Sequence, residues 1–288
     1  MENLRGSILM VAAMAGFALE DMFLKSAAHI LPVGEILMIF GTGGMLAFII
    51  LAARRGQRIL HPAIFTRPIA LRAGFEVAGR LFYTLAIALT PLSSASAILQ
   101  ATPLVVVAGA ALFFGETVGW RRWSAIAVGF GGVLIILRPG LEGFTPLSLL
   151  AVAGTLGFAG SDLATRAAAP ILSNLQLGVY GFAMMVPTGA GLMAFSGGAV
   201  WPDATTTAQM LAATAFGVGA YYALTAAMRM GEVSVITPFR YTRLVFALIL
   251  GAVVFAERPD AATMIGSAVI VVTGIYTLLR SRKRGLQV

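Results

Sequence analysis

The 288-residue chain contains no cysteine and only two histidines, His29 and His61. Disulfides and thiolate metal centres are therefore excluded, and the histidines fit no zinc-ligand spacing, so no cofactor or metal is implied. Charge is also scarce. Asp, Glu, Lys and Arg make up 11% of the residues, where soluble domains carry about a quarter. There is no Ser/His/Asp set, no HExxH pair and no glycine-rich phosphate loop ending in Lys-Ser or Lys-Thr. No polar stretch is long enough to hold a nucleotide-binding domain. The chain thus carries no enzymatic constellation, and ATP-driven work by this chain alone is excluded.

What is abundant is apolar surface: 59% of residues are hydrophobic and mean hydropathy is +0.91. A bilayer-spanning helix needs roughly 20 mostly apolar residues. Segments meeting that need lie at about 7–27, 34–53, 69–89, 93–114, 122–138, 146–167, 174–195, 207–230, 233–256 and 260–280. The first could be mistaken for a cleaved leader, but its apolar run continues to Phe23 and it takes part in the repeat below. Connections such as Thr90-Pro91-Leu92 and Met230-Gly231-Glu232 are too short to hold a domain, so consecutive helices form antiparallel hairpins.

The net charge of +8 sits in short loops, which argues for a lipid bilayer and against nucleic acid as the partner. With a cytoplasmic N-terminus, the inside segments collect Arg5, Arg54, Arg55, Arg58, Arg67, Arg121, Arg122, Arg166, Arg229, Arg280, Arg282, Lys283 and Arg284. The outside ones collect Lys25, Arg138 and Arg258. Positive loop residues resist translocation, so both termini are expected in the cytoplasm.

The chain repeats itself. Residues 79–116 resemble residues 219–257, and Gly16-Phe17-Ala18 with Asp21 and Lys25 matches Gly157-Phe158-Ala159 with Asp162 and Arg166 at an offset of 141. The repeat spans five helices, dividing the chain into 1–142 and 143–288. Five is odd, so the second copy enters the membrane inverted, a device of secondary transporters. The expected fold is all-α: ten transmembrane helices as two inverted five-helix repeats. Ten helices, this repeat, and the Gly115-Glu116 and Ala256-Glu257 endings of each fourth helix resemble the drug/metabolite transporter superfamily. The similarity is to its EamA-type members, most of all to the YddG-like amino-acid exporters of bacterial inner membranes. The resemblance implies a central cavity walled by helices 1–4 and 6–9, and substrates that are small polar or amphipathic metabolites.

A charge at mid-membrane costs at least about 2.5–3.5 kcal/mol on insertion scales, so each one faces a cavity or a partner. Helix three carries Arg72, Glu76 and Arg80 on one face; Arg80 is a candidate for an anionic substrate group, and Arg72 and Glu76 read as packing or neutralising residues. Helix nine carries Pro238, Arg240, Tyr241 and Arg243. Two readings of its arginines stand: an arginine-lined site for carboxylates, or structural pairing with Glu20 or Glu76. Gln100 is the first copy's counterpart on helix four. Phe82 and Tyr83 on helix three and Tyr221 and Tyr222 on helix eight, at similar depth in the two copies, are candidates for clasping an apolar side chain, with ordinary packing as the other reading; Tyr83 and Tyr222 are taken into the site. The candidate substrate-binding set is Arg243, Arg80, Tyr83, Tyr222, Gln100, Arg240 and Glu20.

Asp21 and Lys25 on one hand, and Asp162 and Arg166 on the other, sit at opposite faces and are candidate gates; anchoring near span ends is the competing reading. The function these features imply is secondary transport, in the family's light the export of amino acids with aromatic or apolar side chains by a monomer, with proton coupling open. Uptake or exchange of S-adenosylmethionine or a nucleoside-like or sugar-like compound is the alternative, and a receptor or membrane-embedded enzyme the different class.

Overall fold

The computed structural model describes residues 2–59, 61–62, 66–115, 119–138, 145–167, 172–196, 198–228 and 237–285. The helices are α1 (Glu2–Ala27), α2 (Val33–Arg54), α3 (Arg67–Leu89), α4 (Leu92–Leu99), α5 (Thr102–Phe114), α6 (Trp120–Leu137), α7 (Ser148–Ala167), α8 (Asn174–Ser196) and α9 (Ala204–Met228). A 3₁₀ turn at Thr237–Tyr241 then leads into α10 (Thr242–Phe255), and α11 (Ala261–Gly285) follows. The chain is a polytopic membrane protein whose spans follow the predicted hydropathy segments. Leu4–Ala27, Val33–Arg54, Leu92–Phe114, Asn174–Phe195 and Ala204–Ala227 are long and apolar enough to cross a membrane on composition alone. The charges that interrupt α3, Arg72, Glu76 and Arg80, turn inward to a cavity.

Two predicted spans are not continuous. The 93–114 segment breaks between α4 and α5, and the described part of 233–256 is a 3₁₀ turn followed by α10. The first break has a local cause. Pro103 has no N–H, so the Leu99 carbonyl loses its helical partner. The Thr102 hydroxyl takes it instead, at 2.6 Å. Both breaks fall at equivalent places in the repeat, Gln100-Ala101 in one copy and Tyr241-Thr242 in the other. Equivalent ends are also capped alike: Gly115 and Ala256 both adopt the left-handed conformation, at φ 66° and 51°. Glycine does so freely, whereas alanine accepts a cost of about 1–2 kcal/mol.

The helices pair across the two copies. α1 packs on α9, α3 on α7, α2 on α8 and α6 on α11. The repeat relation is visible atom by atom, because a Cβ at Gly16 would meet the Ala220 Cβ at 2.9 Å, and the 141-shifted contact is Gly157 against Gly79. On α2 and α8, Gly34 meets Gly189, and Gly41 meets Phe182 and Met185. Small residues let these backbones touch. A Cβ at Gly157 would stand 2.5 Å from the Gly79 Cα, a backbone atom that cannot swing aside. Gly157→Ala is therefore expected to force α3 and α7 apart and lower the melting temperature in detergent by several degrees, as overpacking costs of about 1–3 kcal/mol imply. Gly181→Ala, where a Cβ meets nothing within 4 Å, should leave it unchanged.

At the end opposite the N-terminus, Arg138 and Asp260 form an ion pair joining α6 to α11. The Arg138 guanidinium, with the Thr263 N–H, holds the Asp260 carboxyl down at about 2, below its ordinary value of 3.8.

Candidate functional site

The inward faces of α1, α3, α5, α7, α8, α9 and α10 and the 3₁₀ turn enclose a cavity of about 360 Å³. From α3 come Arg72, Glu76 and Arg80, one turn apart on a single face. From α7 come Phe158, Ser161 and Asp162, and from α9 come Tyr221, Leu224 and Thr225. α1 adds Met14 and Phe17, the α4–α5 break adds Leu99, Gln100, Thr102 and Pro103, and Arg240 and Arg243 close the ring. Charge alternates around the wall. Ser161 donates to Glu76 at 2.7 Å, Arg72 reaches the Tyr221 hydroxyl, and Arg240 faces Asp162 at 3.8 Å.

At the cavity floor the arginines are held from behind. Arg243 donates to one oxygen of Asp21 through Nε at 3.2 Å and Nη2 at 2.7 Å, and Tyr83 donates to the same oxygen at 3.1 Å. Tyr83 also bonds Ser96 at 3.1 Å. Arg80 pairs with Glu20. Both guanidinium groups lie over aromatic faces, Arg243 over Phe17 at 5.0 Å and Arg80 over Phe40 at 5.3 Å. Glu20 and Asp21 are wholly buried. Four formal charges thus cancel in pairs, aromatic rings back each guanidinium, and both arginines line the cavity.

The cavity is open at one end. Asp162 and Arg240, on the side where α3 begins and α7 ends, have side chains 44% and 30% exposed, against 0% for Asp21. The other end is shut by a clasp. Lys25 on α1 donates to the Ile87 and Thr90 carbonyls at 3.0 and 2.6 Å and lies 3.6 Å from Glu257 beyond α10. Glu257 in turn accepts from the Leu92 and Ser93 N–H groups at 2.6 and 3.0 Å and from the Ser93 hydroxyl at 2.7 Å. One carboxylate therefore caps the N-terminus of α4 and one ammonium the C-terminus of α3, each at the favourable end of the helix dipole.

Of the residues singled out in the sequence, Arg80, Gln100, Arg240, Arg243 and Asp162 line the cavity, while Glu20, Asp21 and Tyr83 stand behind it and Lys25 sits at the closed end. Tyr222 does not belong with them. It is 40% exposed, with its hydroxyl bonded to Arg55, and Tyr221 takes the cavity wall, since adjacent helical residues point about 100° apart. The Arg166 side chain lies outside the described residues, as do Glu116 and the boundary at 142–143. Arg72 and Glu76, read as packing residues, belong to the wall, and their shared i, i+4 face with Arg80 was the available signal. Phe17 and Phe158 occupy matching places in the two copies of the Gly-Phe-Ala motif, and both reach the cavity. Among the described residues no cluster of His, Asp and Glu could hold a metal ion.

A five-helix repeat folded face to face around a charged cavity, open at one end and clasped at the other, defines a membrane transporter. The chain belongs to the EamA-like transporter family, whose profile matches it twice, at residues 4–138 and 146–280. Through that family it belongs to the drug/metabolite transporter superfamily. It is 29% identical over 219 residues to a riboflavin transporter of Rhizobium johnstonii, covering 76% of this chain and 70% of the relative. It is 23% identical over 261 residues to an S-adenosylmethionine uptake transporter of Rickettsia conorii, covering 91% and 87%. With the pseudopaline exporter CntI of Pseudomonas aeruginosa it shares 28% identity over 290 residues, covering 96% and 97%. A solved crystal structure, 21% identical, superposes over 96% of this chain and 98% of its own with a TM-score of 0.69, which supports the fold.

Proposed function

We propose that this chain moves a small amphoteric metabolite, one bearing an amino-acid-like carboxylate and ammonium and a flat or apolar body, across the bacterial inner membrane by alternating access. Both termini are in the cytoplasm in this reading, so the structure is the inward-open state. The observation that carries it is the division of the cavity wall. Arg80 and Arg243 offer guanidinium edges for a carboxylate, and Glu76 and Asp162 offer acceptors for an ammonium. Phe17, Phe158 and Tyr221 supply faces for an aromatic ring. Amino acids with aromatic side chains carry all three elements. S-adenosylmethionine carries them as well, with a purine as the flat body, and the size of the cavity favours it as the second reading.

The test is counterflow in proteoliposomes with labelled phenylalanine, tyrosine, S-adenosylmethionine and riboflavin. Tyr221→Ala should raise the apparent KM of the transported compound about tenfold, as loss of a ring contact worth roughly 1.4 kcal/mol implies. Tyr222→Ala should leave it where it was. Transport of riboflavin alone, or equal effects of the two tyrosine variants, would sink this assignment.

A further inference from the structure

The Glu20–Arg80 pair differs from the Asp21–Arg243 pair in one respect. Asp21 receives three hydrogen bonds, two from Arg243 and one from Tyr83. Glu20 receives one, from Arg80 on Oε1; each carboxylate also has a second, buried oxygen with no hydrogen-bond partner among the described residues, Oδ1 of Asp21 and Oε2 of Glu20. The Glu20 Oε2 lies against Gly217 of α9 and the Phe40 ring of α2, since a Cβ on Gly217 would stand 2.9 Å from both. The charged and titratable groups facing Glu20 are Arg80 and, behind it, Tyr83 from α3, Arg243 from α10, and Asp21 on α1 itself. Tyr221 of α9 and Arg240 of the 3₁₀ turn line the cavity wall, and α2 and α9 place the Phe40 ring and Gly217 beside Glu20.

A substrate carboxylate that comes to the Arg80 guanidinium competes with Glu20 for it. The four-charge cluster is neutral, and in a low-dielectric site a fifth charge added without compensation is costly. Substrate ammonium is compensated elsewhere, at Glu76 and Asp162, so it does not relieve the floor. The nearest available compensation is a proton on the carboxylate that has lost its partner, and Glu20 has the fewest donors to lose.

We propose that Glu20 carries one proton along with the substrate. When the substrate carboxylate takes Arg80, the Glu20 carboxylate leaves the ion pair and accepts a proton from a hydronium ion in the cavity, leaving water. On release at the other face the substrate departs, the proton returns to water there, and the Glu20–Arg80 pair re-forms. Substrate and proton travel in the same direction, so a membrane that draws protons inward drives uptake rather than export. This rests on the substrate class proposed above.

The experiment uses the full chain in proteoliposomes containing a pH-sensitive dye, with the membrane potential clamped at zero and the four labelled compounds as probes. Counterflow at equal pH reports transport, and an imposed gradient reports the proton. Influx of the transported compound should acidify the lumen. An acid-outside gradient should accumulate it up to about tenfold per pH unit, the limit for one proton per substrate. Glu20→Gln, which stands in for the protonated acid but leaves buried Arg80 without its partner, should melt at a lower temperature and show slower counterflow that no longer depends on pH, with no accumulation and no lumen acidification. Glu20→Asp, which keeps an ionisable group, should retain gradient-driven accumulation at a lower rate. Wild-type counterflow without any response to the gradient would overturn the proton and leave the substrate reading standing. Accumulation by Glu20→Gln equal to wild type would overturn the role of this residue. Absence of counterflow for every compound would overturn both readings.

Discussion

Arg243→Gln is expected to abolish transport and, in the same protein, to lower its thermal stability markedly. The variant leaves the Asp21 carboxylate wholly buried with only the Tyr83 hydroxyl to solvate it. Removing one partner of a buried ion pair costs about 3–5 kcal/mol, because the remaining charge is left unpaired in a poorly polarisable site. The double variant Asp21→Asn with Arg243→Gln removes both charges, with asparagine keeping the shape of aspartate and glutamine a shorter polar side chain. It should recover most of the lost stability, since replacing a buried pair by neutral groups is often nearly neutral. It should not recover transport. A neutral amide cannot offer the charge-assisted, paired hydrogen bonds that a guanidinium gives a carboxylate. Melting curves in detergent and counterflow on the same preparations separate the two effects. Recovery of transport along with stability would show that Arg243 is a structural pair and nothing more.

That cycle addresses the question the sequence leaves open at this position. Hydropathy places Arg243 near mid-span and the price of a buried charge demands a neighbour or a cavity, but neither says which acid lies across from it. Depth is legible because each residue adds a fixed rise along a helix; azimuth is not, because it depends on how neighbouring helices are rotated. Hence Glu20 and Glu76 stood as candidate partners and the structure supplies Asp21. The same gap separates Tyr221 from Tyr222, which have nearly the same depth and opposite fates. Where two copies of a motif give the azimuth twice, the sequence is more informative: Gly16-Phe17-Ala18 and Gly157-Phe158-Ala159 put a glycine into each inter-copy contact and a phenylalanine into the cavity. The breaks at Gln100-Ala101 and Tyr241-Thr242 were half legible. Pro103 and Pro238 signal a lost hydrogen bond, but whether a helix kinks or divides depends on what caps the freed carbonyl. The Thr102 hydroxyl that does so is common in unbroken helices too.

Glu257→Gln is expected to move the protein toward the state open at the opposite face. The residue follows the end of α10, and its carboxylate gathers three donors at the start of α4 while lying against Lys25 from α1. These contacts tie three elements together at the shut end of the cavity. If that end opens by parting α1 and α10 from the α3–α4 corner, they are made only while it is shut. A contact shifts a conformational balance only by the difference it makes between the two states. Hydrogen bonds to charged groups contribute about 1.5–3 kcal/mol each, and a neutral amide keeps some of this, so a net loss of about 2 kcal/mol is reasonable. That corresponds to roughly a thirtyfold change in the ratio of the two states. Because the chain has no cysteine, single thiols report the shift directly. Ser96→Cys places one in the buried half, where Ser96 is fully enclosed, and Thr225→Cys places one on the open wall. In Glu257→Gln, labelling of the Ser96→Cys thiol from the opposite face should rise at least several-fold and that of the Thr225→Cys thiol should fall. Asp162→Asn is the contrast. Asp162 stands 3.8 Å from Arg240 at the open mouth, and the loosely made pair contributes little to this state, so labelling at Ser96→Cys should stay at its wild-type level. If Glu257→Gln instead lowers stability and leaves both labelling rates unchanged, Lys25 and Glu257 are anchors for the ends of α3 and α4, and the closure of that face lies in the apolar packing around them.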